Sequence, residues 1–168
     1  MRETASRGTG APATPIRLLL RIPVPWVFAL AYLAGFGLER AFPPGLLLPV
    51  IAPLSLPAGV FLFIVGLCSA AWCLATFRKG QTTTTPGQTS VRLVKRGLYR
   101  VSRNPMYVSL LLMYVGEALI LRQAWPIILL PLVVIYIDRI VIPLEEARLR
   151  ERFREEYEQY RSNVRRWM

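Results

Sequence analysis

The sequence predicts an all-α integral membrane protein of about four transmembrane helices, with a tight hairpin of the last two and a cytoplasmic amphipathic C-terminal helix. Three observations carry this. Hydrophobic residues make up 54% of the 168, and mean hydropathy is +0.39, more apolar than an ordinary soluble domain. Four apolar stretches, 26–38, 56–77, 106–121 and 124–142, approach the length that crosses a bilayer core, about 20 helical residues for ~30 Å. Positive charge is concentrated between these stretches, with seven Lys or Arg and no acidic residue from Arg78 to Arg103.

Residues 1–20, rich in Gly, Ala, Thr and Pro, are expected to be a flexible N-terminus, with no cleavable signal among them. A single domain is expected over residues 21–168. Pro23 and Pro25 stand just ahead of the first apolar run, where the missing amide is least costly. Phe42-Pro43-Pro44-Gly45 ends that helix, and Pro49, Pro53 and Pro57 interrupt the next apolar segment, leaving residues 42–57 to cross, re-enter or lie on the outer surface. The second helix is expected from Ala58 to about Phe77, with Gly59 and Gly66 as small surfaces for close helix contact. Thr82-Thr83-Thr84-Thr85-Pro86-Gly87 is expected to be extended loop.

Pro105 sits in the first turn of the third helix, and only Arg122-Gln123-Ala124 separate it from the fourth. That short link brings Arg103-Asn104-Pro105 back beside Glu145-Glu146 at one membrane face. The last helix, 144–162, carries Leu149, Phe153, Tyr157 and Tyr160 at helical spacing among Arg and Glu, the pattern of a helix lying on the domain or the headgroups and able to cover a pocket. Basic segments stay on the cytoplasmic side. The N-terminus, the 78–103 segment and the C-terminus are therefore expected inside, and 42–57 outside.

The net charge of +11 raises nucleic acid as a partner. Charge placed beside spanning helices serves topology and attraction to anionic lipid headgroups instead, so membrane lipids are the expected partners and nucleic acid is not. Cys68 and Cys73 match no metal or redox spacing and are expected to be buried filler. The chain has no histidine, and no metal is expected. Glu117, deep in an apolar run, needs a charge partner or a polar cavity. Asp138-Arg139 is expected to be an internal pair near the membrane boundary.

The segment Leu93 to Tyr107, LVKRGLYRVSRNPMY, together with Glu145-Glu146-Ala147-Arg148-Leu149, is an unusual thing for lipid-facing helices to need. A cationic loop and an acidic pair at one membrane face suit a charged, zwitterionic small molecule. Each part also has a bland reading: a helix start with a topology charge, acids in a favourable first helical turn, and a packing stripe.

Leu93-Val94-x-x-Gly97-x-Tyr99, Arg103-Asn104-Pro105-x-Tyr107, Glu145-Glu146-x-x-Leu149 and Phe153-x-x-x-Tyr157-x-x-Tyr160-x-x-x-Val164 together resemble the isoprenylcysteine carboxyl methyltransferase family, which shares a cofactor-binding core with the phospholipid methyltransferases. The resemblance covers residues 56–168. It implies S-adenosylmethionine held at the cytoplasmic face and methyl transfer to a lipophilic small-molecule or lipidated acceptor entering from the bilayer. On that resemblance, Val91, Leu93, Val94, Gly97, Tyr99, Asn104, Pro105, Met106, Tyr107, Glu145 and Leu149 form the cofactor wall. Arg103, Asn104, Glu146 and Arg139 are the catalytic candidates. Tyr99 and Tyr107 offer aromatic faces to the base or the sulfonium, Arg103 a partner for the cofactor carboxylate, and Glu145 one for its ammonium or ribose hydroxyls.

Asn104 stands where eukaryotic members carry His, and the variant resembles a bacterial branch, which implies the inner membrane. Val141 stands where the carboxyl methyltransferases carry a substrate arginine, and Arg139 is the substitute. A carboxylate acceptor needs alignment but no base. An amine or thiol acceptor must lose a proton, to Glu146 or to solvent. The acceptor atom (oxygen, nitrogen or sulfur) and the oligomeric state are left open. Two rival readings are a non-catalytic membrane scaffold and a sterol-type reductase on a related membrane core, the latter lacking any Gly-rich phosphate fingerprint here.

Overall fold

Long uninterrupted runs of Leu, Val, Ala and Phe favour helix once their backbone groups must be satisfied internally, as a bilayer demands. The computed structural model describes residues 23–43, 52–79 and 93–168, and these contain no strand, only an isolated bridge between Ser102 and Arg165. The all-helical expectation holds across them. The N-terminal residues expected to be flexible, the 82–87 loop and Val91 lie outside the described residues.

Helix α1 is Val24–Ala41, with Pro23 at its N-cap and Pro25 in the first turn. Helix α2 is Ala52–Lys79 and begins earlier than expected. Pro53 falls in the first turn, where its missing donor is harmless, and Pro57 is accommodated inside the helix, which forgoes one backbone bond there. The stretch expected to break up the chain around residues 42–57 is therefore helical from Ala52 onward, while 44–51 lie outside the described residues. Helix α3 is Pro105–Ile120, and α4 is Trp125–Tyr136. A π-helical turn, Ile137–Val141, joins α4 without a break to α5, Ile142–Asn163. Within α5, Arg154 departs from helical geometry at φ 42° and ψ −119°, and the helix kinks there.

α2 and α3 run antiparallel with their backbones nearly touching. A Cβ on Gly59 would stand 2.8 Å from the Gly116 carbonyl oxygen, and one on Gly66 would stand 2.7 Å from that of Ser109. Small residues at such a crossing let dispersion contacts replace side-chain bulk. α3 packs mainly on α2 and only lightly on α4, so the hairpin expected of the last two apolar helices amounts to their short link. α4 packs instead on α1, where a Cβ on Gly35 would meet the Pro126 nitrogen at 2.8 Å.

Glu39, near the end of α1, accepts the backbone N–H groups of Ala124 (3.1 Å) and Trp125 (3.0 Å). A carboxylate at the start of α4 satisfies amides that have no helical partner and complements the helix dipole. At the centre, Phe28 and Tyr32 set their rings edge-on to Tyr114, beside the fully buried Ile137 and Ile142.

The outer faces are apolar. Phe61, Trp72 and Leu132 are 60–67% exposed, a surface that water-soluble helices rarely present. Leu54–Arg78 and Trp125–Asn163 are long and apolar enough to cross a membrane, and α3 is a shorter apolar helix. Cys73 is buried but Cys68 is exposed, so only one of the two cysteines is packing filler. Glu117 is exposed on α3 and makes no ion pair among the described residues. The antiparallel pairings gather the starts of α1 and α3 and the ends of α2 and α4 at one end of the bundle, where the 97–107 segment and α5 also lie.

Candidate functional site

Gly97 opens a 3₁₀ turn, Gly97–Arg100, at φ +61°, a left-handed conformation that favours glycine, with Trp72 Nε1 only 3.0 Å from where a Cβ would sit. The turn buries Tyr99, whose ring packs edge-on against Phe77 of α2 at 5.3 Å. The Tyr160 hydroxyl of α5 donates to the Tyr99 carbonyl at 2.7 Å, tying the turn to the last helix. Burial pushes the Tyr99 phenol far above its usual value, with Cys73 and Tyr160 nearby adding to the shift.

Pro105 at the first position of α3 fixes the chain direction, so Arg103 and Asn104 emerge at the helix mouth. Asn104 does not cap α3 with its side chain. Its amide donates instead to the Arg166 carbonyl at 3.0 Å, while the Ser102 hydroxyl donates to the same oxygen at 3.3 Å. The Arg103 amide donates to the Arg165 carbonyl at 2.9 Å. The C-terminal residues therefore lie along the Ser102-Arg103-Asn104 segment.

Two charged centres result. In the first, Arg103 Nη1 stands 3.0 Å from Glu146 Oε1, and Arg166 grips the same carboxylate through Nε at 3.3 Å and Nη2 at 3.0 Å. Both Glu146 oxygens are engaged, the second guanidinium in the two-pronged geometry that strengthens such pairs. Arg166 Nη1 also reaches Asp138 Oδ1 at 3.4 Å, and the Trp167 indole donates to that oxygen at 3.0 Å. Carboxylates on both sides raise the Arg166 guanidinium further, the Glu146 hydrogen bond contributing most. Arg103 Nε is buried without a hydrogen-bond partner.

In the second centre, the Tyr107 hydroxyl donates to Glu145 Oε1 at 2.7 Å. Among the described residues no cation stands within ion-pair distance of Glu145. The surrounding protein strips water from this carboxyl and raises its pKa, opposed by the Tyr107 hydrogen bond and by the more distant Arg148. A half-buried carboxylate without a countercharge is costly to hold and attracts a cation.

Of the sequence-predicted residues, Arg103, Asn104, Tyr107, Glu145 and Glu146 are gathered here, with Pro105 setting the geometry and Tyr99 anchored below. Leu93, Val94, Met106 and Leu149 are half-buried, and Gly97 is exposed. Arg139 is not brought in: its side chain is 81% exposed and reaches only Asp138, at 3.5 Å. Sequence reasoning missed Ser102, Arg166 and Trp167, and took Asp138 for a partner of Arg139 alone. Beside Tyr160, an open depression of about 380 Å³ is lined by Lys95, Arg100, Gln159, Tyr160, Asn163 and Val164, with Lys95 paired to Glu156 at 2.9 Å.

The phospholipid methyltransferase family profile matches residues 54–156, which is more than half of the chain and includes Arg103, Tyr107, Glu145 and Glu146. The chain belongs to the phospholipid methyltransferase family. No curated protein and no solved structure matches it significantly. Membership of this methyltransferase family, the outward apolar faces and the two long apolar helices make it a membrane-associated member.

Proposed function

We propose that this chain transfers a methyl group from S-adenosylmethionine to a lipophilic or membrane-embedded acceptor, with the cofactor seated at the Tyr107–Glu145 and Arg103–Glu146 centres. The observation that carries the reading is Glu145, a carboxylate hydrogen-bonded to Tyr107 and left without a countercharge. The cofactor's amino-acid end is zwitterionic, and its sulfonium adds a second cation. Glu145 fits a cationic group, and the unpartnered Arg103 Nε fits a carboxylate. When bound, the cofactor supplies an activated methyl group. The chain supplies the charges that orient it and aromatic surface from Tyr107.

The acceptor class is argued from the surroundings of the site. The outward faces of α2 and α4 are apolar up to the end where the charges gather, so an acceptor dissolved in the bilayer reaches the site by lateral entry. We place this end, with the N- and C-termini, on the cytoplasmic side of a bacterial inner membrane. The chain crosses four times as a single domain of residues 21–168. The basic residues beside that end support the orientation. Both oxygens of Glu146 are occupied by guanidinium groups, so Glu145 is the carboxylate left to deal with a ligand or a departing proton.

The test is methyl transfer in proteoliposomes containing membrane lipids and S-adenosylmethionine labelled in its methyl group. Label moving into the organic-extractable fraction, and falling by roughly 100-fold in Glu145→Gln, supports the reading. Folded protein that labels no lipid-phase acceptor, across carboxylate, amine and thiol candidates, speaks for a scaffold.

A further inference from the structure

The residues that follow α5 make contacts of three independent kinds with the charged cluster. Its backbone is held by Ser102, Arg103 and Asn104. The Arg166 side chain bridges Glu146 and Asp138. The Trp167 indole closes on Asp138. These contacts draw the mouth of α3 together with the adjoining π turn and first turns of α5, a stretch distant from it in sequence.

Arg103 and Arg166 match the negative charges of Glu146 and Asp138 one for one, and the 81% exposed Arg139 adds only a loose contact to Asp138 at 3.5 Å, so the enclosed part of this group balances internally. Glu145, one residue away, stays outside the balance. A cationic ligand arriving at an unbalanced cluster would have three carboxylates to choose among. With Arg166 in place it has one, adjacent to Tyr107.

We propose that Arg166 is a positioning residue for the methyl donor, holding Glu146 and Asp138 so that Glu145 alone receives the ligand's cationic group. The inference deepens, and rests on, the methyltransferase reading above. It also gives Asn104 a role: its amide fixes the Arg166 carbonyl, so the Arg-Asn-Pro segment is where the tail docks. Removing Arg166 leaves Glu146 with Arg103 alone and Asp138 with the exposed Arg139 and the Trp167 indole. The ligand's cation is then shared among wrong partners and its methyl group displaced.

The experiment is calorimetric titration of the detergent-purified full chain with S-adenosylmethionine, comparing wild type, Arg166→Ala and Arg166→Lys. Circular dichroism and thermal midpoints are recorded for each. Loss of an orienting partner predicts binding weakened roughly tenfold or more in Arg166→Ala. Arg166→Lys recovers only part, because an ammonium brings the charge without the two-pronged geometry. Millimolar ethylguanidinium added to Arg166→Ala restores binding, a rescue that a purely structural role would not show. Where Arg166→Ala does not fold, Arg166→Lys carries the test, with roughly threefold weaker binding at an unchanged midpoint expected. Binding as tight as wild type or tighter in the folded variant overturns the inference alone. No binding by folded wild type overturns the methyltransferase reading, and the inference with it.

Discussion

Replacing Glu146 by glutamine probes the best-enclosed charge in the cluster. The Glu146 side chain is 7% exposed and its partner Arg103 is 11% exposed, at 3.0 Å. The amide keeps the shape but removes the charge and turns one acceptor into a donor facing guanidinium donors. Breaking a buried pair by removing one partner costs about 3–5 kcal/mol, because the other charge remains buried. The second guanidinium, Arg166, is 33% exposed, so water takes over part of its solvation and it adds little to the loss. The expected destabilisation is therefore about 3 kcal/mol, nearly all from Arg103. For a chain of this size that lowers the thermal midpoint by roughly 6–12 °C. The assay is thermal unfolding in mild detergent followed by tryptophan fluorescence, with Glu155→Gln, exposed on α5, as a control expected to shift by less than about 0.5 kcal/mol. A Glu146→Gln midpoint within about 2 °C of wild type would refute the claim that the pair is structurally enclosed.

Other substitutions test separate parts of the account. Gly116→Leu forces a side chain where the Phe63 nitrogen stands 2.6 Å from the Cβ position, and should cost about 1–3 kcal/mol or separate α2 from α3. Gly37→Ala, which meets nothing within 4 Å, should be close to neutral in the same unfolding assay. Glu39→Ala removes the acceptor for two α4 amides and should cost about 1 kcal/mol, with faster hydrogen exchange at Ala124 and Trp125. Glu145 gives a pH signature: burial raises its carboxyl above 4.5, so folding favours the protonated form. That contribution is full below pH 4.5 and is lost as pH rises through the raised value. Wild type should therefore lose stability relative to Glu145→Gln as pH rises above 4.5, whereas a difference constant with pH would contradict an enclosed, unpaired carboxylate.

The parts of this architecture written in local pattern were legible from the chain. Apolar runs bounded by proline and charge marked the helices. Gly59 and Gly66 marked a close helix contact, which their missing side chains permit, but not that its partner would be α3. The meeting of Arg103 with Glu146 followed from topology, since a short link after α3 returns the chain to the same end. What was not legible depends on geometry that local pattern does not encode. Pro53 and Pro57 signalled a break, yet the first turn and a single forgone bond accommodate them, so α2 starts at Ala52. The π turn of residues 137–141 shifts the helical register, which sets Asp138 toward Arg166 and leaves Arg139 outside, though adjacency in sequence suggested a pair acting together. Arg165-Arg166-Trp167 carries the composition of an ordinary basic tail, and only its return onto Ser102 and Asn104 reveals its place. The Arg154 kink has no glycine or proline to announce it.

The central claim is that the Tyr107–Glu145 and Arg103–Glu146 centres hold S-adenosylmethionine. Calorimetric titration of the detergent-purified protein with S-adenosylmethionine and with its demethylated product, beside Glu145→Ala and Tyr107→Ala, tests it most directly. The account predicts a dissociation constant on the order of micromolar for wild type, about −8 kcal/mol, weakened at least tenfold in both variants. Folded wild type that binds neither ligand, or variants that bind as well as wild type, would contradict it.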